Sequence, residues 1–312
     1  MALEGVILGM YYSTSFKNQG LGQGIPIYLI IFILAQVFQI VMAWDAIRFQ
    51  NTIQIIGFIL FNLCCLVYSA FQLSQLRDSI YSQVQPSTQG IGSSDANANV
   101  NPDVLYARVR GYLIAVSTVI AACELLYIYL GGRLYQEFGW RIYKQIGADP
   151  EIRTMFRWYQ IFLLLLKLDL FFLLSFSIQF LVLILHAGDV EFPLTVIALP
   201  VTCLVLLLAV YAVRHESRQL MFAFFCGLAL GVAYFIFKLY RIYDPTQYAK
   251  YRYTKDFLTL CASISLVLLA LTGLNGVRCY SNFDRGLKSH LLRDAPAVVY
   301  TNNANDRSLV LD

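Results

Sequence analysis

Four ionisable residues, Glu124, Lys167, Asp169 and Lys238, sit in stretches otherwise made of apolar side chains. Such groups can carry protons, bind ions or pin helices together, and a charge at the bilayer centre costs about 2.5–3.5 kcal/mol on insertion scales. With Gln179 they make a candidate intramembrane polar network. Lys167 and Asp169 are about 200° apart around a helix, so they face opposite ways and each needs a neighbour of its own. By charge alone, Glu124 suits Lys167 and Lys238 suits Asp169. The competing reading is that a long, tilted span lets Lys167 snorkel, while Lys238, beside Tyr240 and Arg241, anchors at an interface.

Other chemistry is sparse. The three histidines, His186, His215 and His290, are widely spaced and form no metal-ligand pattern. No P-loop, dinucleotide fingerprint or nucleophile elbow occurs, so the expectation is a protein that is not an enzyme and holds no cofactor. Six of the seven cysteines lie in apolar runs, where a thiol behaves as a small hydrophobe. Cys279 follows the last apolar run, where juxtamembrane palmitoylation occurs. Gln36, Gln39, Gln54, Asn62, Gln160, Ser175 and Ser177 read as interhelical glue. Gly227-x-x-x-Gly231 permits close helix approach, most often within one chain.

The elements that must position these groups follow from composition. The chain has 312 residues, is 58% hydrophobic and 13% charged, and has a mean hydropathy of +0.61. Soluble domains average about 25% charged residues. Seven stretches are long enough to cross a bilayer as helices: about Ile25–Ala43, Ile53–Leu73, Tyr112–Leu130, Tyr159–Leu185, Phe192–Val213, Leu220–Leu239 and Phe257–Leu274. The fold class is therefore all-α, a polytopic bundle over 25–276, and the absence of period-2 alternation argues against a β-barrel. Pro193 and Pro200 are placed to start or kink the fifth span. A net charge of +4, thinly spread, gives no case for nucleic acid.

Lys and Arg favour the loops after the first, third, fifth and seventh spans. This puts the C-terminus in the cytosol and the N-terminal tail, 1–24, in the lumen or outside. The first span is expected to act as a signal anchor. The luminal loop of about 79–104 is polar and reads as disordered. The cytosolic loop of about 131–157 is basic and aromatic. Its Trp140, Arg141, Lys144, Arg153 and Arg157 are a candidate surface for a cytosolic partner or anionic lipid, although an ordinary helical extension on the membrane surface is the commoner case and explains them more simply. Asp149-Pro150-Glu151 marks a helix start. In the tail, 277–312, Phe283, Leu287 and Leu291 recur at four-residue spacing beside cations, as in a short amphipathic helix. Tyr280-x-x-Phe283 matches a short sorting pattern.

Several segments carry a resemblance: Trp44-Asp45-Ala46-Ile-Arg48 through Gln54, Gly139-Trp140-Arg-Ile-Tyr-Lys144 through Asp149, Lys167-Leu-Asp169-Leu-Phe-Phe172 with Gln179-Phe180, Tyr234-Phe-Ile-Phe-Lys238-Leu-Tyr-Arg241, and Asn282-Phe-Asp-Arg-Gly286-Leu-Lys288. Together they resemble an uncharacterised family of fungal Golgi-apparatus membrane proteins. The resemblance runs from the first span to the start of the tail. It implies a multi-span protein of the Golgi membrane with no assigned reaction and no catalytic residues.

A G-protein-coupled receptor is a poorer match. The third span ends Gly131-Gly132-Arg133-Leu134 rather than in an acid-Arg-aromatic triplet, and the seventh lacks Asn-Pro before a tyrosine. The seventh span also has no lysine for a retinal Schiff base. The leading expectation is a non-enzymatic endomembrane protein in trafficking, membrane organisation or cargo handling, bathed in lipid. The alternatives are a transporter or channel using the charged network, and a receptor-like protein.

Overall fold

The computed structural model describes residues 2–12, 24–84, 102–146, 150–183, 191–244 and 255–284. Those residues form eight helices: α1 (Ala2–Tyr12), α2 (Gly24–Arg48), α3 (Thr52–Val84), α4 (Pro102–Ile146), α5 (Pro150–Leu183), α6 (Glu191–Arg214), α7 (Arg218–Ile242) and α8 (Lys255–Ser281). No strand occurs among them. Seven of the helices, α2 to α8, are long and apolar enough to cross a membrane. Continuous apolar sequence dictates this, because in hydrocarbon every backbone N–H and C=O must be satisfied within the segment.

The bundle is two four-helix halves. In the first, α1 packs on α2 and α4, and α3 lies between α2 and α4. In the second, α5 packs on α6 and α8, with α7 between those two. The halves meet where the outer face of α5 rests on α2 and α3. Phe38, Phe61, Phe171 and Phe172 fill that seam, with ring centroids 4.9–5.1 Å apart for Phe38 on Phe61 and on Phe171. Gly57 brings α3 against α5: a Cβ there would lie 2.3 Å from Leu164 Cδ1. The largest apolar core belongs to the second half and contains Phe162, Phe176, Phe180, Phe224 and Phe235.

Four expectations are corrected. The N-terminal tail contains α1, whose Glu4 and Ile7 are buried against the bundle. The loop of about 79–104 is shorter, since α3 runs to Val84 and α4 starts at Pro102; residues 85–101 lie outside the described ones. Gly131-Gly132 does not end a span, and α4 continues unbroken to Ile146. Gly131 serves packing instead: a Cβ there would lie 2.6 Å from Ile59 Cδ1 and 3.3 Å from Ile55 Cγ2 of α3. Finally, Phe283 is buried in the core rather than lying on an interfacial face; Leu287 and Leu291 are outside the described residues. Pro150 does open α5, Pro200 lies inside α6, and Asp149 is not among the described residues.

Candidate functional site

α5 presents a charged residue to each half of the molecule. Lys167 makes an ion pair with Asp45, near the end of α2. Asp169, on the other side of α5, accepts a 2.5 Å hydrogen bond from the Thr272 hydroxyl of α8. The 200° separation thus gives one helix two partners on two sides. Asp169 is 1% exposed, and its second oxygen, Oδ1, has no partner among the described residues. On α8, Asn275 lies one turn beyond Thr272, and its buried Nδ2 is likewise without a partner among those residues.

Glu124 belongs to a separate chain of hydrogen bonds within the first half. Gln39 Nε2 donates to Asn62 Oδ1 at 2.7 Å, and Asn62 Nδ2 donates to Glu124 Oε2 at 2.5 Å. One residue from each of α2, α3 and α4 is joined here. Amide side chains suit the relay because each both donates and accepts.

Gln179 and Lys238 lie near the C-terminal end of α5, whereas Lys167 is at its middle. Gln179 Nε2 contacts Cys261 Sγ of α8 at 3.6 Å. The Lys238 ammonium sits 3.8 Å from the centroid of Phe180 and 5.4 Å from that of Tyr234, an arrangement that stabilises a desolvated cation through the ring quadrupole. Lys238 is fully buried.

The five residues therefore do not share one network. Neither charge-based pairing occurs: Lys167 takes Asp45 rather than Glu124, and Asp169 takes Thr272 rather than Lys238. Asp45, Thr272, Asn62 and Gln39 complete the sites. Of these, Asp45 had a visible signal, an acid two residues past the end of an apolar run.

The remaining candidates are placed as follows. Cys279 is buried, its thiol directed at Asn275 Oδ1 within α8 at 3.9 Å. An acyl chain needs an exposed thiolate, so this geometry does not favour palmitoylation. Arg157 is exposed and Arg153 half-buried on the first turns of α5. Trp140, Arg141 and Lys144 fall in the last turns of α4, with side chains outside the described residues. No cluster of metal-ligating residues occurs among the described residues.

A Golgi apparatus membrane protein of the UPF0658 family from Schizosaccharomyces pombe is 30% identical to this chain over 302 residues, covering 94% of the chain and 85% of the relative. The chain belongs to the UPF0658 family of Golgi apparatus membrane proteins. No family model matches the chain, and no solved structure matches it. The likeness extends through all seven spans of this UPF0658 protein, so the Golgi membrane is its location.

Proposed function

We propose that this UPF0658 protein is a non-enzymatic organiser of the Golgi membrane, acting in trafficking or cargo handling. The observation that carries the reading is the use made of its intramembrane polar groups. Lys167 ties α5 to α2, Asp169 ties α5 to α8, and Glu124 ties α4 through Asn62 to α2. Each is engaged in joining helices, which is what a scaffold needs from them. The N-terminus is luminal and the C-terminus cytosolic in this reading. Arg48, Arg214, Arg218 and Arg278 gather at one end of the bundle, as the cytosolic excess of basic residues requires.

Transport is the second reading, favoured by the unpartnered Oδ1 of Asp169. The two separate in cells lacking the protein and complemented by Asp169→Asn. A scaffold tolerates the neutral isostere, and membrane cargo regains its normal residence in the Golgi. If Asp169→Asn localises normally yet fails to restore an ion- or solute-dependent phenotype, the scaffold reading falls and transport replaces it.

A further inference from the structure

The two halves of the bundle repeat one another. Phe49, Gln50 and Asn51 join α2 to α3, and His215, Glu216 and Ser217 join α6 to α7. The middle residue of each turn has positive φ, 49° at Gln50 and 51° at Glu216. The closing bonds correspond: the Asn51 amide donates to Ala46 at 3.1 Å and the Ser217 amide to Ala212 at 3.0 Å. With the turns in register, Arg48 meets Arg214, Phe58 meets Phe224, Tyr68 meets Tyr234 and Leu73 meets Leu239. The last helices align through their contacts. A Cβ on Gly131 of α4 would meet Ile59 and Ile55 of α3, and a Cβ on Gly276 of α8 would meet Phe225 and Met221, the matching residues of α7.

The halves differ in their remaining helix. α5 has 34 residues and fills the space between α6 and α8. Its counterpart α1 has 11, about 16 Å of helix, and begins beside Gln72 at the far end of the second span. Even laid straight down the bundle it stops near the middle. The consequence shows in exposure. Ile40, Ile47 and Leu130 are 59%, 60% and 44% exposed, whereas their counterparts Leu206, Val213 and Asn275 are 7%, 2% and 5% exposed. Among the described residues, α2 and α4 thus flank an open apolar groove where α6 and α8 hold a helix.

The floor of that groove has changed chemistry. Gln39, Asn62 and Glu124 stand where the second half has Val205, Leu228 and Leu269. Glu124 spends one oxygen on Asn62, and Oε1 makes no hydrogen bond among the described residues. Acyl chains offer a carboxylate nothing, whereas a helix carrying a cationic or amide donor complements it in charge and shape.

We propose that the α2–α4 groove receives a transmembrane helix of another membrane protein, bearing a basic or amide side chain at mid-depth and seated as α5 is in its own half. This rests on the cargo-handling reading and names what the cargo presents. The test uses the full chain in phosphatidylcholine vesicles with a photo-crosslinking residue at Leu130, on the groove side of α4. The probes are labelled helices of about 20 leucines, with either lysine or leucine at the centre. The lysine helix is expected to crosslink about three- to ten-fold better. Glu124→Gln removes that preference, and Ile40→Trp, which fills the groove from α2, blocks both helices. Equal capture of both helices overturns the proposal in favour of lipid. Crosslinks between copies that resist added lysine helix overturn it in favour of self-association. Thermal unfolding of each variant in the same vesicles separates lost binding from lost fold. If groove variants bind no helix yet still restore cargo residence in cells, this inference fails while the scaffold reading stands.

Discussion

The Lys167–Asp45 pair joins the two halves from positions about a third and a quarter exposed. Facing lipid, an ion left alone there has neither water nor counter-charge, so removing one partner is worse than removing both. Lys167→Met is expected to destabilise the protein by about 1–3 kcal/mol. Lys167→Met with Asp45→Leu should recover most of that loss, read as unfolding midpoints in one detergent. Recovery in the double variant distinguishes an ion pair from a packing role for the lysine stem. The partners of Lys167 and Asp169 were hidden in the sequence for a definite reason. One helix fixes the angle between its own residues, which showed that the two cannot pair with each other. Which residue of which neighbour each one meets depends on helix rotations and depths that no single sequence contains. Asp45 reads as an interface residue and Thr272 as one hydroxyl among many.

At the level of elements, α1 and the α3–α5 contact each make a sharp expectation. Burial pushes the Glu4 carboxyl up to about 7, and the positive amino terminus and then Gln72 only partly offset this. When α1 is docked Glu4 retains its proton, whereas a released α1 loses it near the ordinary value of 4.5. Docking is therefore strongest at low pH and weakens as pH rises from about 4.5 to about 7, by up to about 3 kcal/mol. Protection of the α1 amides, taken relative to the intrinsic exchange rate at each pH, should fall between pH 5.5 and 7, and Glu4→Gln should abolish the fall. At the other contact, Gly57→Val forces its side chain into Leu164. It should cost about 1–3 kcal/mol, and Leu164→Ala should relieve it, with the thermal midpoint as readout. The span helices were legible because an apolar run of that length admits few other fates. α1 was not, being too short for a span and without periodic polarity. Gly131-Gly132 misled because glycine marks helix ends and close helix contacts alike, and only the neighbouring Ile59 decides which.

On the scale of the whole molecule, the alternation of seven spans fixes the relative sides of the loops, and the basic residues choose between the two orientations. A sequon engineered into Ser87–Asn99 should be glycosylated, seen as a mass shift removed by endoglycosidase. A sequon that stays bare while one in the α6–α7 turn is modified reverses the topology. The duplication was invisible in the sequence because few side chains coincide between the halves. What the halves share is a turn geometry and a rhythm of buried and exposed positions. Divergence has fallen on the polar floor and on the first helix of each half.

α4 is one unbroken helix of 45 residues, about 67 Å long against a hydrocarbon core of about 30 Å. It is a strut anchored at its middle by α3, through Gly131 and through Glu124, with an arm projecting beyond the apolar span at each end. A rod held at its centre behaves as a lever. A tilt of about 10° moves each tip about 6 Å in opposite directions for a helix of that length. Any change in the bilayer or in the groove that leans α4 therefore registers on both faces of the membrane at once.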